Sequence, residues 1–193
     1  MNARFTPERL AAGQDFRSYI AAAQTNVDLW NAVYRLAPLP EGAAERAARI
    51  PGQWHLVALA EDWCGDAVNT LPVLAKLVES VSNLDLTIFG RDANSDLMDS
   101  HLSRTSRAIP VIIVLDDQFI EHGWWGSRPS ELQKWFLSEG LKLEKTERYK
   151  QIRAWYARDR GRSIVDEVLS IVERGALTVD SARTDSTSHA STE

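Results

Sequence analysis

Trp54-His55-Leu56-Val57-Ala58-Leu59-Ala60 is a nearly unbroken apolar run that leads straight into Glu61-Asp62-Trp63-Cys64-Gly65-Asp66-Ala67. An apolar run of this length, bounded by polar residues, reads as a buried strand. The segment that leaves the turn, Ala67 to Val81, places Leu71, Leu74, Leu77, Val78 and Val81 on one face, as an amphipathic helix does. Pro72 lies inside that helix and is expected to kink it. Cys64, the only cysteine of the chain, therefore falls at a strand–helix turn, a position expected to be exposed. A helix N-terminus favours a thiolate through its unpaired N–H groups and its dipole. Glu61, Asp62 and Asp66 bring like charge near the sulfur and oppose it.

The pattern extends in both directions. Upstream, Thr6-Pro7-Glu8 reads as an N-cap, a proline at the first helical position and a first-turn acid. Phe16, Ile20, Ala23, Val27, Trp30, Tyr34 and Ala37 form one apolar stripe, so a single helix is expected over about 15–37. Pro38, Pro40 and Gly42 end it, and a short helix can follow over 41–49. Downstream, Leu84 to Gly90 alternates as a strand and Ser95 to Leu102 reads as a short helix. Pro110 opens a β-branched strand over 111–115, and Phe119 to Trp125 completes a hairpin. Helices are expected over 130–138, 143–157 and 163–174, the last closed by Gly175. From Thr178 the composition is polar and reads as a disordered tail. The expected organisation is an N-terminal helical extension (1–50), an α/β core (51–140), C-terminal helices (141–177) and the tail (178–193).

That order, with Trp-Cys-Gly after the first core strand, resembles the thioredoxin fold, a central mixed β-sheet flanked by helices. Pro72, eight residues after Cys64, matches the helix-kinking proline of the family, and Ile109-Pro110 matches its cis-proline position beside the active site. The chain is most similar to a bacterial branch whose members read Asp-Trp-Cys-Gly-Asp-Cys. Asp62 to Asp66 follows that motif, but Ala67 stands where the second, resolving cysteine belongs. Segments 91–99, 106–110, 125–129 and 156–162 look like further signatures of the branch, and the resemblance spans about 5–174. It implies Cys64 as nucleophile within Trp63, Gly65, Asp66 and Ala67, with Ile109 and Pro110 positioning an extended substrate. Thioredoxins also usually carry a buried acid six residues before the first cysteine, and here that position is Ala58.

Without a resolving thiol, Cys64 cannot form an internal disulfide. Two functions fit: single-thiol exchange, in which Cys64 attacks a mixed disulfide and an external thiol resolves it, and a non-catalytic protein-binding module on the same fold. The expected partners are a protein or a low-molecular-weight thiol or disulfide. Arg107 and Arg128 are candidate contacts for an anionic substrate. Trp124 and Trp125 read as aromatics packing the hairpin end against the closing helix.

Other classes are disfavoured. The four histidines lack metal-ligand spacing, and no metal or cofactor is expected. Asp92-x-Asn94-x-Asp96 begins like a calcium loop, but Leu97 and Ser103 occupy the required glycine and glutamate positions, so these residues are expected to cap the helix at Ser95. The basic stretch from Lys145 to Arg162 reads as a solvated helix face. A formal charge of −5 argues against nucleic acid, and no apolar run is long enough for a membrane helix. The start lacks a secretory pattern, and a lone cysteine suits a reducing, cytoplasmic setting.

Overall fold

The computed structural model describes residues 4–189. The apolar run beginning at Trp54 forms β1 (Trp54–Ala60) at the centre of a four-stranded mixed sheet of order β2-β1-β3-β4. β2 (Leu84–Gly90) runs parallel to β1, with Trp54 opposite Leu84 and Ala60 opposite Gly90. β3 (Val111–Leu115) runs antiparallel to β1, and β4 (Glu121–Gly126) antiparallel to β3. β1 and β3 are the inner strands, and their continuous apolar sequences reflect burial on both faces. The parallel β1–β2 pair requires a crossover, supplied by α5 (Gly65–Glu79). Pro72 lies within α5 and is itself buried.

The N-terminal extension is part of this core. Around α1 (Pro7–Ala11), α2 (Phe16–Ala22), α3 (Val27–Leu36) and α4 (Ala43–Ala48), the residues Phe5, Leu10, Phe16, Tyr19, Trp30, Ala47 and Ile50 are buried in one cluster with the sheet. Gln14 exchanges both backbone hydrogen bonds with Ile88, at 2.9 and 2.8 Å, which pairs part of the β2 edge. The stripe over 15–37 is not one helix. It breaks between α2 and α3, where Asn26 is left-handed at φ 57°. The cause is tertiary: the Asp62 carboxylate accepts from the backbone N–H of Gln24 (2.6 Å) and Thr25 (2.9 Å). An exposed i, i+4 pattern cannot reveal a carboxylate that competes for the same backbone donors.

After the short α6 (Ser95–Met98), the hairpin and α7 (Ser130–Ser138), the chain forms a 3₁₀ turn (Gly140–Lys142), α8 (Lys145–Asp159) and α9 (Arg162–His189). The chain beyond 140 returns to the sheet. α9 is the helix that closes the sheet, packing on β4, β3 and α5 with Ile164, Val168, Leu169 and Val172 buried. In α7 only Leu132 is buried.

α9 also passes through Gly175 and continues across 178–189, where the composition suggested a tail; residues 190–193 lie outside the described residues. Gly175 is there for closeness rather than for stopping the helix. A Cβ on it would lie 2.8 Å from the Trp54 indole and 3.0 Å from His122. Alanine in an unobstructed helix interior gains about 1 kcal/mol over glycine. At Gly175 we expect the opposite sign: Gly175→Ala lowers unfolding free energy by about 1–2 kcal/mol, because overpacking exceeds the propensity gain. Urea denaturation followed by tryptophan fluorescence reads this out; a stabilised variant would mean that the α9–Trp54 contact is loose.

Candidate active-site turn

Cys64 is the N-cap residue of α5, with its backbone N–H on Glu61 O (3.0 Å) and its carbonyl accepting from Val68 N (3.1 Å). Its thiol donates to the carbonyl of Ile109 at 3.4 Å. The Ile109–Pro110 peptide is cis, as is Gly126–Ser127. The fold thus brings Cys64 to Ile109 and Pro110, 45 residues away in sequence. Space above Gly65 is open, since a Cβ there would meet nothing within 4 Å. Ala67 and Ala58 are both fully buried.

The expectation of an exposed thiol is overturned: Cys64 is only 7% exposed. The N-terminal extension docks on the turn that carries it. Besides its two backbone donors, Asp62 receives bonds on its carbonyl from Trp30 Nε1 (2.9 Å) and Asn26 Nδ2 (3.2 Å). Trp63 stays 49% exposed, with the Arg91 guanidinium 5.1 Å from its ring centroid.

The three acids near the sulfur are all engaged. Asp62 holds the 24–25 backbone, and Glu61 accepts from Asp92 N–H at 2.9 Å. Asp66 is buried, ion-paired with Arg128 Nη2 at 2.6 Å, and accepts from the Tyr156 hydroxyl at 3.0 Å. Burial pushes the Asp66 carboxyl up, while Arg128 and Tyr156 pull it back. Burial likewise raises Cys64, and the Asp66 charge adds to the rise. Backbone N–H groups of Ala67 and Asp66, with Arg128, act the other way without reversing it. The helix N-terminus is therefore present, but desolvation wins and the resting group is a neutral thiol.

The two arginines expected to meet an anionic substrate are committed within the chain. Arg128 is consumed by Asp66, bonds Gln133 Oε1 at 3.2 Å and lies 4.1 Å from the Phe136 ring centroid. Arg107 makes a two-point contact with Asp99, both bonds 2.7 Å, on the surface. The expected cap at Ser95 is also corrected. Asn94 occupies the N-cap position without a side-chain capping bond; its amide donates to Gly90 O at 2.9 Å, and Asp96 pairs with Arg9 at 2.7 Å. Trp125 donates to Glu167 of α9 at 2.5 Å, so the hairpin end packs on α9 rather than on α7.

Two residues of the site went unnoticed in the sequence. Tyr156 falls in the basic 145–162 stretch and in the 156–162 segment resembling a family signature, and neither reading marks its hydroxyl. Its hydroxyl is pushed well above the usual tyrosine range by burial and by Asp66. Tyr19 is buried, and burial together with Glu61, Asp62 and Cys64 raises its hydroxyl; it has no hydrogen-bond partner among the described residues. Tyr19 lies outside the apolar stripe read over 15–37, and nothing in the sequence marked it. Among the described residues, no group of three or more His, Cys, Asp or Glu side chains could hold a metal ion, and no helix is long and apolar enough to cross a membrane.

The thioredoxin family model matches residues 13–153. Among solved structures, the chain is similar to a protein of unknown function from Pseudomonas aeruginosa at 23% identity and a TM-score of 0.71, covering 89% of this chain and 99% of that one. It is also similar to an HIV epitope scaffold at 25% identity and a TM-score of 0.66, covering 86% and 96%. None of the curated proteins matches.

Two outcomes test this electrostatic picture. Arg128→Met strands a buried carboxylate, and unfolding free energy should fall by about 3–5 kcal/mol; a change under about 1 kcal/mol would show that Asp66 does not depend on the pair. Alkylation of Cys64 by iodoacetamide at pH 8 should be slower in the folded protein than in urea, with its rate–pH midpoint above the ordinary thiol range. The sign of the linkage agrees: the folded state holds its proton where the unfolded chain has lost it, so this group's contribution to stability declines as pH rises past the unfolded thiol value. A midpoint below that of the unfolded chain would contradict the neutral thiol.

Proposed function

The chain belongs to the thioredoxin family, and on that premise we propose that it carries out single-thiol disulfide exchange through Cys64. The proposal rests on one observation: the sulfur sits at the N-cap of α5, 3.4 Å from the Ile109 carbonyl and beside the cis Ile109–Pro110 peptide. An extended partner lying along that backbone edge would bring its sulfur to Cys64. The Asp-Trp-Cys-Gly-Asp motif at 62–66 supports a place in the branch that carries this motif, with Ala67 as the departure.

The step begins when the Cys64 thiol loses its proton to solvent. The thiolate attacks one sulfur of a mixed disulfide, forming a new S–S bond to Cys64 and releasing the other sulfur as a thiolate, which takes up a proton. Ala67 offers no internal thiol, so a second, external thiolate attacks the Cys64 adduct, releasing Cys64 and a new disulfide. No electrons are gained or lost overall; a disulfide is exchanged between thiols. A glutathionylated peptide or protein is a suitable substrate, and a reducing, cytoplasmic compartment would supply the external thiol.

The burial and the raised pKa of Cys64 favour a second reading, a binding module in which the thiol is retained but silent. One assay separates the two. Incubation with a glutathionylated peptide should release glutathione at a rate that rises with pH and is abolished in Cys64→Ser. Equal release by the two proteins would remove the exchange function and leave the binding module.

A further inference from the structure

A cleft of about 530 Å³ opens between α3, α5 and α8, apart from the Cys64–Ile109 contact. Leu29, Val33 and Leu36 of α3 line one wall, and Val73 of α5 lies at its base. Leu29 is 44% and Leu36 73% exposed, an unusual showing for large apolar side chains. The opposite wall is α8 with the left-handed residue that ends it, presenting Arg153 and Arg160 respectively. Neither guanidinium makes an ion pair or side-chain hydrogen bond among the described residues, although the chain as a whole is acidic.

The spacing of the two walls identifies the occupant. Leu29, Val33 and Leu36 step by four and three residues, and Arg153 and Arg160 are seven apart. Along α3, Leu29 to Leu36 rise about 10.5 Å, or two turns. One wall thus offers an apolar stripe over two turns, and the other offers two cations, one on α8 and one on the residue that ends it. An amphipathic helix meets both walls at once, with apolar anchors at i, i+4 and i+7 on one side and acids on the adjoining side. We propose that this cleft is a docking groove for an amphipathic acidic helix of a partner protein. The apolar wall supplies burial, and Arg153 and Arg160 set register and polarity through charge complementarity. The groove stands independently of exchange at Cys64, although Tyr156, which lines it, also carries the hydroxyl bonded to Asp66.

The test uses the full chain and stapled helical peptides of about 18 residues, long enough to stay helical. All carry the same three leucines, and they differ only in two flanking residues: glutamates seven apart, glutamates four apart, or lysines seven apart. By fluorescence anisotropy, the seven-spaced glutamate peptide should bind about tenfold more tightly than either of the others, the size expected of two rim ion pairs. The double variant Arg153→Glu/Arg160→Glu should reverse the preference toward the lysine peptide, and Leu36→Asp should weaken all three. Both walls are exposed, so circular dichroism of the variants should match that of the parent chain. Equal affinities for the three peptides would overturn the proposal, as would a glutamate preference that survives the arginine reversal. Binding of dodecanoate without any peptide binding would also overturn it, in favour of a lipid-like ligand.

Discussion

Asp66 is a carboxylate shut away from water at the first turn of α5, and it cannot stay charged there without a cation. Arg128 supplies that cation from the middle of the β4–α7 connection at 2.6 Å, and Tyr156 of α8 completes the shell at 3.0 Å. A buried pair of this kind adds little net stability compared with apolar packing, but breaking it is costly. Its use here is in specifying an arrangement. Three segments distant in sequence must converge on one carboxylate, and that fixes how the helices after the hairpin sit against the Cys64 turn. Gly126 makes the approach possible, since a Cβ there would collide with the Pro110 carbonyl. The same glycine ends β4 against the cis-proline segment and starts the short path to Arg128.

The pair also sets the state of the thiol. Helix-terminus effects on a nearby charge amount to about 0.3–1 kcal/mol when exposed, whereas burial of an ionised group without a partner costs several. Arg128 is the natural counter-charge for a thiolate at this turn, yet Asp66 takes it first. For Cys64, the backbone N–H groups of Ala67 and Asp66 and the Arg128 charge are set against near-complete burial and the Asp66 charge, and the balance falls on the protonated side. The Asp66 charge repels the thiolate directly, and its ion pair with Arg128 also engages the cation nearest the sulfur.

The sheet was legible in the sequence because its signals are local. The apolar run from Trp54, the alternation after Leu84 and the β-branched stretch after Pro110 each announce a strand that the structure contains, and the α/β architecture follows from their order. The nearness of Cys64 to the Ile109–Pro110 pair was legible through the spacing they share with the thioredoxin family. What was not legible depends on partners remote in the chain. The break between α2 and α3 comes from Asp62, almost forty residues downstream of it. The roles of Arg128 and Tyr156 depend on Asp66, and the role of α9 as the closing helix depends on Gly175 lying against Trp54. A stripe identifies an apolar face but not what the face will meet.

Ala67 and Ala58 are both fully buried small side chains. In a two-cysteine site the second thiol and a buried acid beneath it serve the opening of an internal disulfide, and both positions here hold small apolar side chains with no exposed surface. A lone polar group left in that pocket would be buried without a partner, at a cost of about 1–3 kcal/mol. Methyl groups at both positions leave no such group to satisfy. The Asp62 bonds to the 24–25 backbone then cover the turn from above. Cys64 is left between an apolar floor and a docked N-terminal extension, with Ile109 O as its hydrogen-bond partner. Any partner that reaches the sulfur must displace that bond and compete with the docked segment, so access to the thiol depends as much on the hold of the extension as on the chemistry of the cysteine.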